Sequence, residues 1–145
     1  MAIYLKQVTQ NNWYDCTELD VYEEQKGIVA PNYNSIIVSL LFNNWYSRCI
    51  YNDDKLIGYI LYGIEEETNK TMLLRYMIDK EYQGKGLGKE ALSKLFDLIR
   101  VEYGNIKFYT IYDPENDIAQ NLYKTVGFNK TGEILWDEDL LEIQL

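Results

Sequence analysis

The residues Met77-Ile78-Asp79-Lys80-Glu81-Tyr82-Gln83-Gly84-Lys85-Gly86-Leu87-Gly88-Lys89 carry the strongest chemical signal in the chain. An apolar run ends in a glycine-rich turn, and the turn opens onto a helical pattern. The first turn of a helix has unpaired backbone N–H groups and the positive end of the helix dipole. Glycines let an anion reach those groups, so the arrangement suits a phosphate. Two familiar phosphate loops fail on spacing. A P-loop needs four residues between its glycines and then Lys-Ser/Thr. Here three residues separate Gly84 from Gly88, and Glu90 follows Lys89. The fingerprint G-x-G-x-x-G fails because the third glycine comes one place early. The pattern that fits is Gln/Arg-x-x-Gly-x-Gly/Ala, with Gln83, Gly86 and Gly88. A glycine-rich turn with no ligand is the plainer alternative.

A second segment runs Asp113-Pro114-Glu115-Asn116-Asp117-Ile118-Ala119-Gln120-Asn121-Leu122-Tyr123-Lys124-Thr125-Val126-Gly127-Phe128. Asn116 is an N-capping residue type, and Gly127 stands in the C-cap place. Ala119 and Tyr123 are four apart and share one helical face. The chain holds no histidine, which removes the commonest general base, the commonest zinc ligand and every Ser-His-Asp arrangement. Acid–base work falls to Glu, Asp, Tyr, Cys, Lys, a terminus or water. No metal site is expected. The formal charge is −9, which argues against nucleic acid as a partner; it can steer a cationic substrate or serve solubility alone, and by itself does not decide between them.

These residues need a scaffold. Ile3–Val8 reads as a strand, Trp13–Val21 as a short helix, and Ser35–Asn44 as a second helix with Ile36, Ile37, Leu40 and Leu41 on one side. Arg48–Tyr51 and Leu56–Ile64 flank the turn cluster Asn52-Asp53-Asp54-Lys55 and read as a hairpin. Thr71–Ile78 is a rich apolar strand. Leu87–Arg100 is the best helix, with Leu87, Ala91, Leu92, Leu95, Leu98 and Ile99 at helical spacing. Ile106–Tyr112 is a strand, Asp117–Val126 a helix, and Lys130–Leu145 one or two strands. The order predicts one α/β domain over residues 1–145, with a mixed sheet of six or seven strands and about four helices. Ile134, Leu135, Trp136, Leu140, Leu141 and Ile143 are expected to form either a dimer face or a core strand. No apolar run approaches a membrane span, and Met1–Lys6 lacks the order of a secretory signal. Two cysteines, Cys16 and Cys49, are expected as reduced, partly buried thiols, so the expected location is cytoplasmic.

The glycine loop and the Asn116–Phe128 segment together resemble the GNAT N-acetyltransferase family, over about Leu73 to Phe128. The resemblance implies the GNAT fold and acetyl-CoA as cosubstrate. It implies coenzyme contacts from Met77, Ile78, Gln83, Gly84, Lys85, Gly86, Leu87, Gly88, Lys89, Asn116 and Tyr123. It places the pantetheine arm between two splayed strands, Thr71–Ile78 and Ile106–Tyr112, and makes Tyr123 the general acid for the departing thiolate. A backbone N–H near Met77 or Ile78 would stabilise the oxyanion. The base is left open, because Leu73, Leu74, Arg75 and Tyr76 occupy the places where some relatives carry a glutamate. The stretch Leu19–Ser35, and Arg75–Asp79 before the loop, look like bacterial spermine/spermidine acetyltransferases. That likeness implies a small-molecule polyamine acceptor held by Glu23, Glu24, Tyr33, Trp45 and Glu65. A solvated hairpin end is the alternative for the Glu65–Glu67 run. A protein amine, an aminoglycoside, a small amino acid and a non-catalytic acyl-CoA sensor remain open alternatives, and many family members are dimers.

Overall fold

A computed structural model describes residues 2–22 and 31–145. In chain order it contains β1 (Ile3–Gln7), α1 (Trp13–Glu18), α2 (Asn32–Leu41), β2 (Trp45–Asn52), β3 (Lys55–Glu65) and β4 (Lys70–Ile78). A short 3₁₀ turn (Lys80–Tyr82) leads to α3 (Leu87–Tyr103), β5 (Lys107–Tyr112), α4 (Asp117–Val126), β6 (Asn129–Leu135) and β7 (Glu138–Gln144). The predicted mixed sheet is present, with seven strands in the order β1-β2-β3-β4-β5-β7-β6. Among the described residues only β4 and β5 run parallel. The crossover that makes them parallel is α3, as a parallel pair requires.

The helices sort the two faces of the sheet. On one face α3 buries Leu87, Ala91, Leu92, Leu95, Phe96 and Ile99 against Ile60, Leu73, Phe108 and Leu141. Tyr123 and Phe128, at α4 and just beyond it, join this core. On the other face Cys16 of α1 and Ile36 of α2 pack on Cys49, Tyr59, Leu61 and Met77. Further along that face Met72, Ile111 and Leu140 form a third cluster.

Several boundaries and burials depart from the sequence expectations. The second helix starts at Asn32, directly after Pro31 at its N-cap position. The cause is Asn32 itself. It is buried, and its Nδ2 donates to the Cys16 carbonyl at 2.9 Å, which ties α2 to α1. The expected apolar side of this helix is not a buried face. Ile36 is buried, while Ile37, Leu40 and Leu41 are 51%, 78% and 72% exposed. The tail splits in the same way, with Leu140 and Leu141 buried and Ile134 and Trp136 exposed. Cys16 and Cys49 are fully rather than partly buried, and both are free. The hydrogen bond with Cys49, then burial, pushes the Cys16 thiol up. The turn at Asp53 (φ 56°) and the Gly127 cap of α4 (φ 112°) stand where turn chemistry placed them.

Because Leu95 is fully buried where α3 meets the sheet, Leu95→Ala leaves a cavity. The expected cost is about 2–5 kcal/mol, read by urea unfolding.

Candidate active site

The site begins where a pair of strands stops pairing. β4 and β5 are matched at two positions only, Met72 with Tyr109 and Leu73 with Thr110. Beyond them the strands diverge, and a cleft of about 380 Å³ opens between them. A β-bulge contributes. Leu61 pairs with Arg75 but Tyr62 pairs with Leu73, so Leu74 is the extra residue on β4. A bulge increases local twist and re-aims the residues after it.

The ladder with β3 then decides which peptide groups reach the cleft. Tyr59 is opposite Met77, and the Asp79 amide donates to the Ile57 carbonyl at 2.7 Å. Antiparallel pairing alternates, so Met77 spends its peptide groups on β3 while those of Tyr76 and Ile78 point away from it. The Ile78 carbonyl shows this directly, since it accepts from Gln83 Nε2 at 2.9 Å. Of the two amides expected to face the reaction centre, Ile78's has the required direction; Met77's is directed at β3.

The glycine loop closes one end of the cleft. Asp79 organises it, with one carboxylate oxygen accepting from the Asp20 amide at 2.8 Å and the other from the Glu81 amide at 3.2 Å. Gly84 and Gly86 both sit in the left-handed region, at φ 77° and 79°, and Gly86 is the N-cap of α3. A Cβ at either glycine would meet nothing within 4 Å, so the backbone there is open to an approaching group. Gly88 is different, because a Cβ there would lie 2.6 Å from the Tyr76 hydroxyl. Its glycine permits close packing of α3 on β4. Gln83, Gly84, Gly86, Gly88 and Lys89 line the cleft. Leu87 turns its side chain into the core, and the exposed Lys85 holds its Nζ 5.7 Å from the Tyr82 ring.

Two tyrosines face each other across the middle, with ring centroids 6.5 Å apart. Tyr123 is buried on α4 and hydrogen-bonds with Thr110, at the last paired position of β5. Thr110 Oγ1 in turn donates to the Leu73 carbonyl at 2.9 Å, so this phenol is tied to the point of divergence. Burial is the main reason that its pKa is pushed up to about 12. The Thr110 hydrogen bond and Arg75 act in the opposite sense, and Glu138 adds to the rise. Tyr123 therefore keeps its proton at neutral pH. The Tyr76 hydroxyl is shielded from solvent and has no hydrogen-bond partner among the described residues. Burial, then Tyr123, pushes its pKa well up.

Asn116 acts as the N-cap of α4 and also borders the cleft. Its side chain accepts from the Ala119 amide at 3.1 Å. The expected acceptor residues are more scattered. Glu23 and Glu24 lie outside the described residues. Tyr33 is exposed on α2. Trp45 packs on the sheet face that α1 and α2 cover. Glu65 is buried and holds the β3–β4 turn, accepting from the Thr68 amide at 2.7 Å and the Thr68 hydroxyl at 3.1 Å. None of Tyr33, Trp45 and Glu65 lines the cleft; of the Glu65–Glu67 run, Glu66 and Glu67 are exposed as a solvated hairpin end would be, while Glu65 is buried. The structure instead brings in Arg75, Asp113 and Glu138, which sequence reasoning did not select. Their only sequence signal was alternation: Glu138 stands two residues before the buried Leu140, but the strand pairing was not readable.

Comparison with known proteins agrees with this geometry. The sequence model described as "Acetyltransferase (GNAT) family" matches residues 10–128. The Spermine/spermidine N(1)-acetyltransferase of Bacillus subtilis (strain 168) is 27% identical over 140 residues, covering 92% of each chain. Among solved structures, the PaiA N-acetyltransferase from Thermoplasma acidophilum in complex with coenzyme A superposes with a TM-score of 0.76 at 19% identity, covering 100% of both chains. An aminoglycoside acetyltransferase in complex with coenzyme A gives a TM-score of 0.80 at 16% identity, covering 99% of this chain and 95% of that one. At such identities the two structures speak for the fold.

A buried hydroxyl without a partner costs stability, so Tyr76→Phe is expected to leave the ligand-free protein unchanged or raise its stability by up to about 1 kcal/mol. Urea unfolding reads this, and a clear loss of stability would show that the hydroxyl is already satisfied.

Proposed function

This chain belongs to the GNAT acetyltransferase family and uses acetyl-CoA; from that premise we propose that its acceptor is a primary amine of a polyamine such as spermidine or spermine. The observation that carries the reading is the divergence of β4 from β5 beside a buried, protonated tyrosine, with a helix mouth at the end of the same cleft. The polyamine part is supported by the spermine/spermidine acetyltransferase that matches most of this chain. The acidic charge of −9 suits a polycation.

The residues present fit the coenzyme. Its diphosphate needs amides and no side chains, which the open backbone at Gly84 and Gly86 and the N-terminus of α3 offer. Lys89 adds a positive charge on the cleft wall. The unpartnered Tyr76 hydroxyl and the Ile78 amide are polar groups at the middle of the cleft. When bound, acetyl-CoA supplies an acyl group on a thiol leaving group.

In this reading the chain's residues act as follows. The amides of Gln83 to Lys89 hold the diphosphate, and Asn116 steadies the arm that runs up the cleft. The Tyr76 and Ile78 amides donate to the carbonyl oxygen as it gains charge. The Tyr123 hydroxyl donates to the sulfur as the carbon–sulfur bond breaks. Its pKa of about 12 stands above the roughly 8.5 of an ordinary thiol. Tyr123 is thus a firm hydrogen-bond donor rather than a strong acid, a shift of emphasis from a phenol matched to the thiolate.

A thiol-release assay with spermidine, spermine, lysine and kanamycin tests the acceptor. The expected order puts the polyamines first by kcat/KM; faster turnover of kanamycin or lysine would remove the proposal. Tyr123→Phe is expected to lower kcat by about 10²–10⁴ while acetyl-CoA still binds, as calorimetry would show. Gly88→Ala, which forces Tyr76 to move, is expected to weaken acetyl-CoA about tenfold by the same measurement.

A further inference from the structure

The cleft passes through the sheet, and its two mouths carry different chemistry. Tyr76 and Ile78 of β4 pack into the core under α3 and α4. Met77 packs on the other face, under α1 and α2. Side chains alternate along a strand, so Arg75, two residues before Met77, belongs to the α1/α2 face. The same rule applies to β7. Leu141 joins the α3/α4 core and Leu140 the cluster with Met72 and Ile111, which puts Glu138 on the α1/α2 face. The β5–β7 register pairs Tyr112 with Asp139, so the next step sets Glu138 opposite Asp113, at the point where β5 ends and the cleft widens.

Resting on the acetyl-transfer reading above, we propose that Glu138 is the base of the reaction: it faces the acceptor amine from the α1/α2 mouth and takes its proton, while Tyr123 faces the sulfur from the α4 side. The geometry separates the two proton tasks. Arg75, Asp113, Tyr123 and Glu138 all line one cavity. Tyr123 sits close enough to Glu138 and Arg75 for both charges to act on it. An amine placed between them meets a carboxylate on one side and the reacting carbonyl on the other. Asp113 adds a second negative charge for the ammonium; its carboxylate also accepts from the Glu115 amide at 2.9 Å, which fixes its position.

The proton count closes. A substrate ammonium gives one proton to Glu138 and becomes a free amine. The nitrogen–carbon bond forms as the carbon–sulfur bond breaks, and the sulfur leaves with the electron pair beside the Tyr123 hydroxyl. The remaining surplus nitrogen proton is lost to water as the amide forms, and Glu138 passes its own proton to bulk water. Any proton taken up by the thiolate is drawn from Tyr123 or solvent. No oxidant or further reactant is needed.

The charges around Glu138 fix the sign of the pH dependence. Partial burial raises its pKa, Arg75 on β4 lowers it, and Asp113 after β5 raises it. On α4 it faces Tyr123, which stays neutral, and its chain neighbour Asp139 reaches Lys130 on β6 at 4.0 Å. A base must be ionised to act, so kcat falls as pH drops through a value above the ordinary carboxylate range. A raised pKa brings a carboxylate nearer the operating pH and makes it a better base.

The experiment is kcat for spermidine against pH, by thiol release, for wild type, Glu138→Gln, Glu138→Asp and Arg75→Gln. Glu138→Gln is expected to lose about 10²–10⁴ in kcat and to lose the acid limb, with acetyl-CoA affinity by calorimetry unchanged. Glu138→Asp is expected to keep the limb at reduced kcat. Arg75→Gln is expected to move the limb to higher pH, a response that a merely structural carboxylate would not give. Wild-type kcat and an intact acid limb in Glu138→Gln would overturn this proposal alone. Should that variant fail to fold by circular dichroism, an unmoved limb in Arg75→Gln overturns it instead. A wild type that binds acetyl-CoA but releases no thiol with any amine would remove the acetyl-transfer reading beneath it.

Discussion

The divergence of β4 from β5 is the constraint on which the rest of this structure depends. A parallel pair would continue to hydrogen-bond along its length, yet here it stops after Leu73 and Thr110. The peptide groups released by that break give the cleft a polar backbone edge. The break is held open from several sides. The bulge at Leu74 turns β4, α3 packs closely through Gly88, and Tyr123 ties α4 to Thr110 at the last paired position. Each of these contacts is a packing or hydrogen-bond feature that also positions a group for chemistry.

Electrostatics then divides the cleft. At the α3 end the backbone supplies positive potential with little help from side chains, through amides that carry no Cβ in the way at Gly84 and Gly86. At the opposite mouth Arg75, Asp113 and Glu138 give a mixed cluster in which neighbouring charges set the protonation of one carboxylate. Between them lies a pair of buried phenols that stay neutral because burial penalises the phenolate. The chain holds no histidine, so in the proposed reading a carboxylate and a phenol divide the proton tasks that one imidazole can serve.

Local chemistry made much of the site legible before any tertiary information. The loop glycines have the positive φ values that their residue type suggests, and Asn116 and Gly127 cap α4 where capping rules put them. The long helix α3 followed its apolar spacing, because one stripe of Leu, Ala, Phe and Ile must be buried together. Acceptor residues were the weak point. Glu65 looked like a ligand for a cation but spends its carboxylate on Thr68, and Tyr33 remains on the surface. Neighbourhood in sequence carried no information about which carboxylates the strands would bring to the cleft.

What the sequence determined by itself was therefore the family resemblance, the element order, the phosphate-type loop and the caps of α4. All of these rest on interactions between residues within about one helical turn or along one strand, where spacing alone sets who meets whom. The tertiary structure decided the rest: which amides of β4 face the cleft, where β4 and β5 part, and that Arg75, Asp113 and Glu138 share one mouth. Those outcomes depend on strand register and on a one-residue bulge. A shift of a single position exchanges the two faces of a strand, and only the packing of both faces selects the register that is seen.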